Sequence, residues 1–203
     1  MRTFGWRTAC ALFVAFMALP ALAQAPQTVR LRGTIEKIDG HTVTAKSAKG
    51  DELKLNLADK VTVVAVVKAS LAEIKPGAFI GSGAMPQPDG SQKALEVHIF
   101  PESMRGTGEG FRPWNRGPTS TMTNGTVGST VTGVSGPVIT LKYKDGEQKI
   151  VVTPATPIVR FEFADLNAIE PGAPFTVIAA VRKPDGSFDV KRINVGHGGA
   201  VPP

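Results

Sequence analysis

The chain has 203 residues, which allows one large or two small domains. Hydrophobic residues make up 42% and charged residues 20%, a balance that suits a packed core and excludes global disorder. The net charge of +6 is mildly basic, well short of a chain built mainly to coat nucleic acid.

The first predicted element is an export signal over residues 1–23. Arg2 and Arg7 form a positive flank, residues 9–19 are an unbroken apolar run, and Ala21-Leu22-Ala23 supplies the small-x-small pattern of a cleavage site before Gln24. The run is shorter than the ~20 apolar residues that span a bilayer. Cleavage removes two arginines and takes the net charge from +6 to +4. It also removes Cys10, the only cysteine, so disulfides, Cys-based metal sites and thiol catalysis are excluded from the mature chain. No later stretch reads as a transmembrane span. The mature protein is expected in the periplasm, or secreted.

Residues 27–100 read as a run of short strands. Residues 29–38 alternate, the Asp39-Gly40 turn leads to 42–46, and the Lys49-Gly50 turn leads to 52–57. There Leu53, Leu55 and Leu57 alternate with polar residues, the period of a half-buried strand. Residues 61–67 are β-branched and apolar, as in a more buried strand. Ser70-Leu71-Ala72-Glu73 fits a capping box and predicts one helical turn. A hairpin of 79–84 with 93–100 closes the unit around a Pro88-Asp89-Gly90 tip.

A connector over 101–123 follows, and then the pattern returns over 124–196. Gly40 matches Gly136 and Gly50 matches Gly146, both at an offset of 96, while Pro76-Gly77-Ala78 matches Pro171-Gly172-Ala173 at 95. Pro88-Asp89-Gly90-Ser91 returns as Pro184-Asp185-Gly186-Ser187, again at 96. Four turn signals in one order indicate a duplication. The second copy gives strands at 126–134, 138–144, 147–152 and 158–163, a helical turn capped by Asp165, and a hairpin of 175–181 with 188–195. Residues 197–203 read as a flexible tail.

The expected fold is therefore all-β: two tandem small β-barrels of five or six strands, each with one short helical turn, joined by a Gly/Pro-rich connector. The five-stranded OB-fold, with its helix between the third and fourth strands, is one such barrel; a six-stranded relative is the other candidate. The repeat opens on Arg32-Gly33-Thr34-Ile35-Glu36-Lys37-Ile38-Asp39-Gly40 and closes on Gln87-Pro88-Asp89-Gly90-Ser91. It resembles an uncharacterised family of exported bacterial proteins with OB-like repeats, whose relatives are sometimes labelled metal transporter components. The resemblance covers nearly all of residues 29–195 and rests on turn glycines and apolar alternation. In the stretch 104–114, one branch of that family carries His where this chain has Phe111 and, just beyond it, Asp where this chain has Asn115. That departure weakens any metal site the resemblance would imply there.

The residues carry little catalytic signal. His41, His98 and His197 stand in no paired ligand motif, and zinc needs three or four converging ligands. Met85, Met104 and Met122 are soft ligands suited to copper, or gap-filling side chains. Gly81-Ser82-Gly83 has the wrong spacing for a nucleophile elbow, and its glycines instead suggest close approach of a neighbouring backbone. Gly106, Gly108 and Gly110 lack the flanking strand and helix of a dinucleotide fingerprint. Catalytic residues, metal sites and cofactors are not expected, and neither is nucleic-acid binding, for which each repeat would present exposed aromatics.

Binding is the better class. The connector holds seven Gly or Pro together with Trp114, the only tryptophan outside the leader. Loops longer than about 12–15 residues are usually functional or linkers. Arg105, Glu109, Phe111, Arg112, Trp114 and Arg116 are the candidate ligand-binding residues, since arginines around a tryptophan bind anions or stack on planar rings. Docking of this segment against the barrels and a passive linker are the other two readings. The expected role is non-enzymatic binding or scaffolding in the cell envelope, with an envelope protein or an anionic ligand as partner. The rival is a periplasmic metal-handling accessory using Met and His side chains.

Overall fold

A computed structural model describes residues 27–133 and 136–203. The leader, the cleavage point before Gln24, and the positions Val134 and Ser135 lie outside the described residues. Three strands open the chain: β1 (Thr28–Asp39), β2 (Thr42–Ser47) and β3 (Glu52–Lys68). A 3-10 turn (Leu71–Glu73) leads to the hairpin β4 (Phe79–Pro86) and β5 (Gln92–Ile99). The connector contributes a 3-10 turn (Glu102–Met104) and a short strand, β6 (Gly110–Pro113). Then come β7 (Thr121–Gly133), β8 (Gly136–Tyr143), β9 (Gly146–Val151) and β10 (Ile158–Ala164). A last 3-10 turn (Leu166–Ala168) precedes the hairpin β11 (Pro174–Arg182) and β12 (Phe188–Gly196). The protein is all-β, and among the described residues no helix is long and apolar enough to cross a membrane.

The pairing departs from self-contained repeats. β1 pairs with β2 and β2 with β3, but β3 then runs parallel to β12, and β11 returns antiparallel to β1. These five strands close a barrel whose last hairpin comes from the second copy. Conversely, β4 and β5 of the first copy join β7, β8 and β9, with β5 and β9 meeting at the two pairs Gln92–Ile150 and Lys93–Val151. Each hairpin therefore serves the other half, and residues 27–100 do not enclose their own core. The barrel core mixes Val43, Leu53 and Leu55 with Phe175, Val190 and Ile193. The outer ring mixes Ile80 and Val97 with Ile139, Leu141 and Ile150.

β3, predicted as two strands, is one strand of 17 residues. Its first part pairs with β2, while Val63–Lys68 continues past β2 and pairs antiparallel with β10. The chain is thus carried beyond its own barrel before the hairpin forms. In the second copy the same stretch is broken into β9 and β10 by Pro154 and Pro157. Proline has no N–H to give a ladder and ends a central strand; the matching positions, Asp59 and Thr62, keep theirs. Between the two strand groups lies a third cluster, in which Val64 and Val66 meet Phe79, Phe100, Met104, Val159, Phe161 and Ala200.

The connector is tied down, in line with the docking reading: β6 pairs with the first half of β7. β7 itself begins at Thr121, five residues before the predicted start at 126. The predicted flexible tail packs instead, with Ala200 buried in the central cluster and Thr176 Oγ1 donating to the Pro202 carbonyl at 3.3 Å.

Candidate functional site

The outward faces of the two strand groups meet around one small cavity of about 130 Å³. β5 runs Glu96-Val97-His98-Ile99-Phe100, so Val97 and Ile99 enter the outer-ring core while Glu96, His98 and Phe100 face the other way. By the same alternation β12 turns Ile193 and Val195 inward and Arg192 and Asn194 outward. β1 adds Arg30, β7 adds Met122 and Asn124, β10 adds Phe161, and the connector adds Met104, Arg112 and Trp114. Pro203 closes one side.

His98 is the centre of the aromatic wall. It is 4% exposed, stacks on Phe161 at 5.3 Å and 10°, and meets Phe100 edge-on at 5.3 Å. Burial first, and then the charges of Arg112 and Arg116, push its pKa down to about 3, so the ring is neutral at physiological pH. Room for it comes from β4. A Cβ on Gly81 would lie 2.1 Å from His98 Nε2 and 2.6 Å from Asn124 Oδ1, and one on Gly83 would lie 3.2 Å from Glu96 Cγ. The glycines around Ser82 thus admit neighbouring side chains rather than the expected neighbouring backbone.

The cations are arranged around this wall. The Arg30 guanidinium lies over the Trp114 ring, 4.4 Å from its centroid. Arg112 Nη1 donates to the Gly108 carbonyl at 2.6 Å, and Arg192 reaches Asn194 Oδ1 at 3.3 Å and Met104 Sδ at 3.6 Å. Burial holds all three guanidiniums below their usual pKa, with Arg32 and Arg116 lowering Arg30 further. Arg116 pairs with Glu96 at 2.7 Å. Arg32 is also held down, by burial and by Arg116, and its Nε and Nη2 are buried without a partner.

Several polar atoms at the cavity are buried and have no hydrogen-bond partner among the described residues. They are Arg30 Nη1, His98 Nδ1, Trp114 Nε1 and Asn124 Oδ1. Buried polar groups are almost always satisfied, so four such side chains around one space make it the candidate site.

The six residues picked from sequence divide. Arg112 and Trp114 line the cavity, while Arg116 pairs with Glu96 outside its lining and acts on His98 through its charge. Arg105 lies elsewhere, paired with Glu102 and donating to the Gly77 carbonyl at 2.9 Å. Glu109 accepts from the Lys144 amide at 3.1 Å, and Phe111 is exposed. Sequence reasoning missed Arg30, Arg32, Glu96, His98, Asn124 and Arg192. A signal for them exists: Arg30 and Arg32 share one face of β1, and Glu96 and His98 fall at the repeat positions of Arg192 and Asn194. Charged or polar residues recur there at alternate positions of a strand otherwise apolar.

A scan of protein families, a search of curated proteins and a search of solved structures found no match to the chain.

Proposed function

We propose that this chain is an exported, non-enzymatic binding protein of the cell envelope. In this reading it is built from two OB-type barrels with exchanged hairpins, and its ligand seat is the cavity between them. What supports the barrel type is the strand circuit β1-β2-β3-β12-β11, in which the third and last strands run parallel and a 3-10 turn precedes β11. The observation that carries the ligand seat is the set of buried, unpartnered polar atoms at Arg30, His98, Trp114 and Asn124. The export reading rests on the leader sequence and on the resemblance to an exported family. The connector then acts both as a docked strap and as one wall of the seat, because Trp114 meets Arg30 of the barrel. Emission from Trp114 in the mature protein, followed against neutral, cationic and anionic small molecules, tests this. A saturable change with one class is expected; no change with any of them rejects the seat.

Metal handling is the second reading, and one observation favours it: His98, Met104 and Met122 line the same cavity. Thioether and imidazole ligands suit cuprous copper. Among the described residues no three His, Cys, Asp or Glu side chains gather, so the site would rest on the methionines. The positive field of Arg30, Arg112 and Arg192 opposes a cation there, which ranks this reading below the first.

A further inference from the structure

We infer that the cavity between the two strand groups is an oxyanion seat, taking a single carboxylate or phosphate group against Arg30, Arg112 and Trp114. The inference rests on the ligand-seat reading and names the chemistry of its occupant.

Charge decides the sign. Arg30, Arg112 and Arg192 line the cavity, and no acidic side chain does. Among the described residues none of the three takes part in an ion pair within 4.0 Å. Guanidiniums drawn out of water without a paired counter-charge are costly; Glu96 offsets part of this at Arg30, yet burial still holds all three below their usual pKa. An anion relieves that cost; a second cation adds to it.

Geometry decides the class. The open donors are Arg30 Nη1 and the Trp114 indole N–H, both buried and without a partner among the described residues. A guanidinium fork with an N–H beside it matches the paired oxygens of a carboxylate or phosphate. Chloride offers no such pair. His98, neutral at physiological pH, adds no charge but can donate or accept from its free Nδ1. The stacked rings of His98 and Phe161 give the other wall an apolar face.

Size decides how much of the ligand enters. About 130 Å³ is well below the ~300–1,000 Å³ of drug-sized sites. The seat holds a small free oxyanion, or only the charged end of a longer molecule. Both sources share the same chemistry.

The test uses the full mature protein and reads Trp114 emission and thermal midpoint together. Inorganic phosphate and benzoate are titrated against sodium chloride at equal ionic strength. A saturable change with an oxyanion but not with chloride is expected, weakened at least tenfold in Arg30→Gln and in Arg112→Gln. Arg105→Gln, which removes a cation outside the cavity, should bind as the parent does. Equal response to chloride, or binding undiminished in the Arg30→Gln/Arg112→Gln double variant, overturns the inference. Vesicles of phosphatidylglycerol against phosphatidylcholine separate the sources: capture by the former without a response to free phosphate places the oxyanion on a headgroup. If cuprous ion or a neutral probe moves Trp114 while every oxyanion fails, the seat stands and its anionic character falls. If nothing moves it, both fall.

Discussion

The two terminal hairpins carry matching turn signals in sequence and differ on one face. Their core-facing sides match in kind: Ile80 stands opposite Ile99 in β4–β5, and Phe175 opposite Val195 in β11–β12. Their outward sides differ. Gly81 stands opposite His98, whereas Thr176 stands opposite Asn194; two residues earlier, Glu96 answers to Arg192. One hairpin thus supplies a buried ring and a carboxylate, the other a cation and an amide. The lesson is that the two hairpins keep apolar faces of one kind toward their cores, while the space between them is asymmetric.

The sharpest way to break this difference is at Gly81. Gly81→Ala drives a methyl into His98 and Asn124, and overpacking of this severity should cost ~3 kcal/mol or more in urea unfolding. Thr176→Ala at the matching position loses one hydrogen bond to Pro202 and should cost only about 1 kcal/mol. Equal losses would mean that the two hairpins are packed alike.

His98→Asn makes β5 resemble β12 and removes the stacked ring. At neutral pH it should cost about 2 kcal/mol, as other large-to-small changes in packed sites do. Its pH dependence is more telling. Unfolded His98 takes up a proton near 6.5, and the folded group only at about 3. The unfolded state therefore binds more protons between those values, and the parent loses stability as pH falls through that window, by up to about 1.4 kcal/mol per pH unit. The variant should show a flatter acid limb in chemical denaturation from pH 7 to 4. An unchanged limb would mean that His98 titrates normally.

Arg30→Ala tests the strap across the two strand groups. The cation–π contact with Trp114 should be worth about 1 kcal/mol, and its loss should redden Trp114 emission and speed proteolysis after Arg112 and Arg116. Arg105→Ala, whose partners are Glu102 and the Gly77 carbonyl, should leave the emission unchanged. The smallest effect is expected where the copies differ only in backbone. Asp59→Pro installs in β3 the proline that ends β9's neighbourhood, at an exposed position beside a register shift, and should cost less than ~1 kcal/mol by thermal melting.

Strand existence was legible because Leu53, Leu55 and Leu57, or the tips at Pro88-Asp89-Gly90 and Pro184-Asp185-Gly186, are local signals. Which hairpin closes which barrel was not, because hairpins with the same kind of apolar face fit either half, and residues 58–60 read as a break in what is one strand. The site was half legible. Trp114 and Arg112 stood out by composition, yet Arg30 lies 84 positions from Trp114 in the chain. No local pattern announces that pairing. His98 was visible as a lone histidine on a strand, and only its neighbours on β10 and β12 give it a role.

The exchanged hairpins also set an order of assembly. Phe188 meets Leu55 across 133 residues, whereas Phe79 meets Thr126 across 47. A chain emerging N-terminus first lays down β1, β2 and β3 early, yet the barrel they begin stays open on both sides until β11 and β12 arrive. The outer ring has every strand in hand by Val151. Late, distant closure is slow, and β1 and β3 meanwhile present bare edges able to pair with another chain. The vulnerable moment of this protein is thus the interval between a finished ring and an unfinished barrel, and a factor that shields the edges of β1 and β3 would act then.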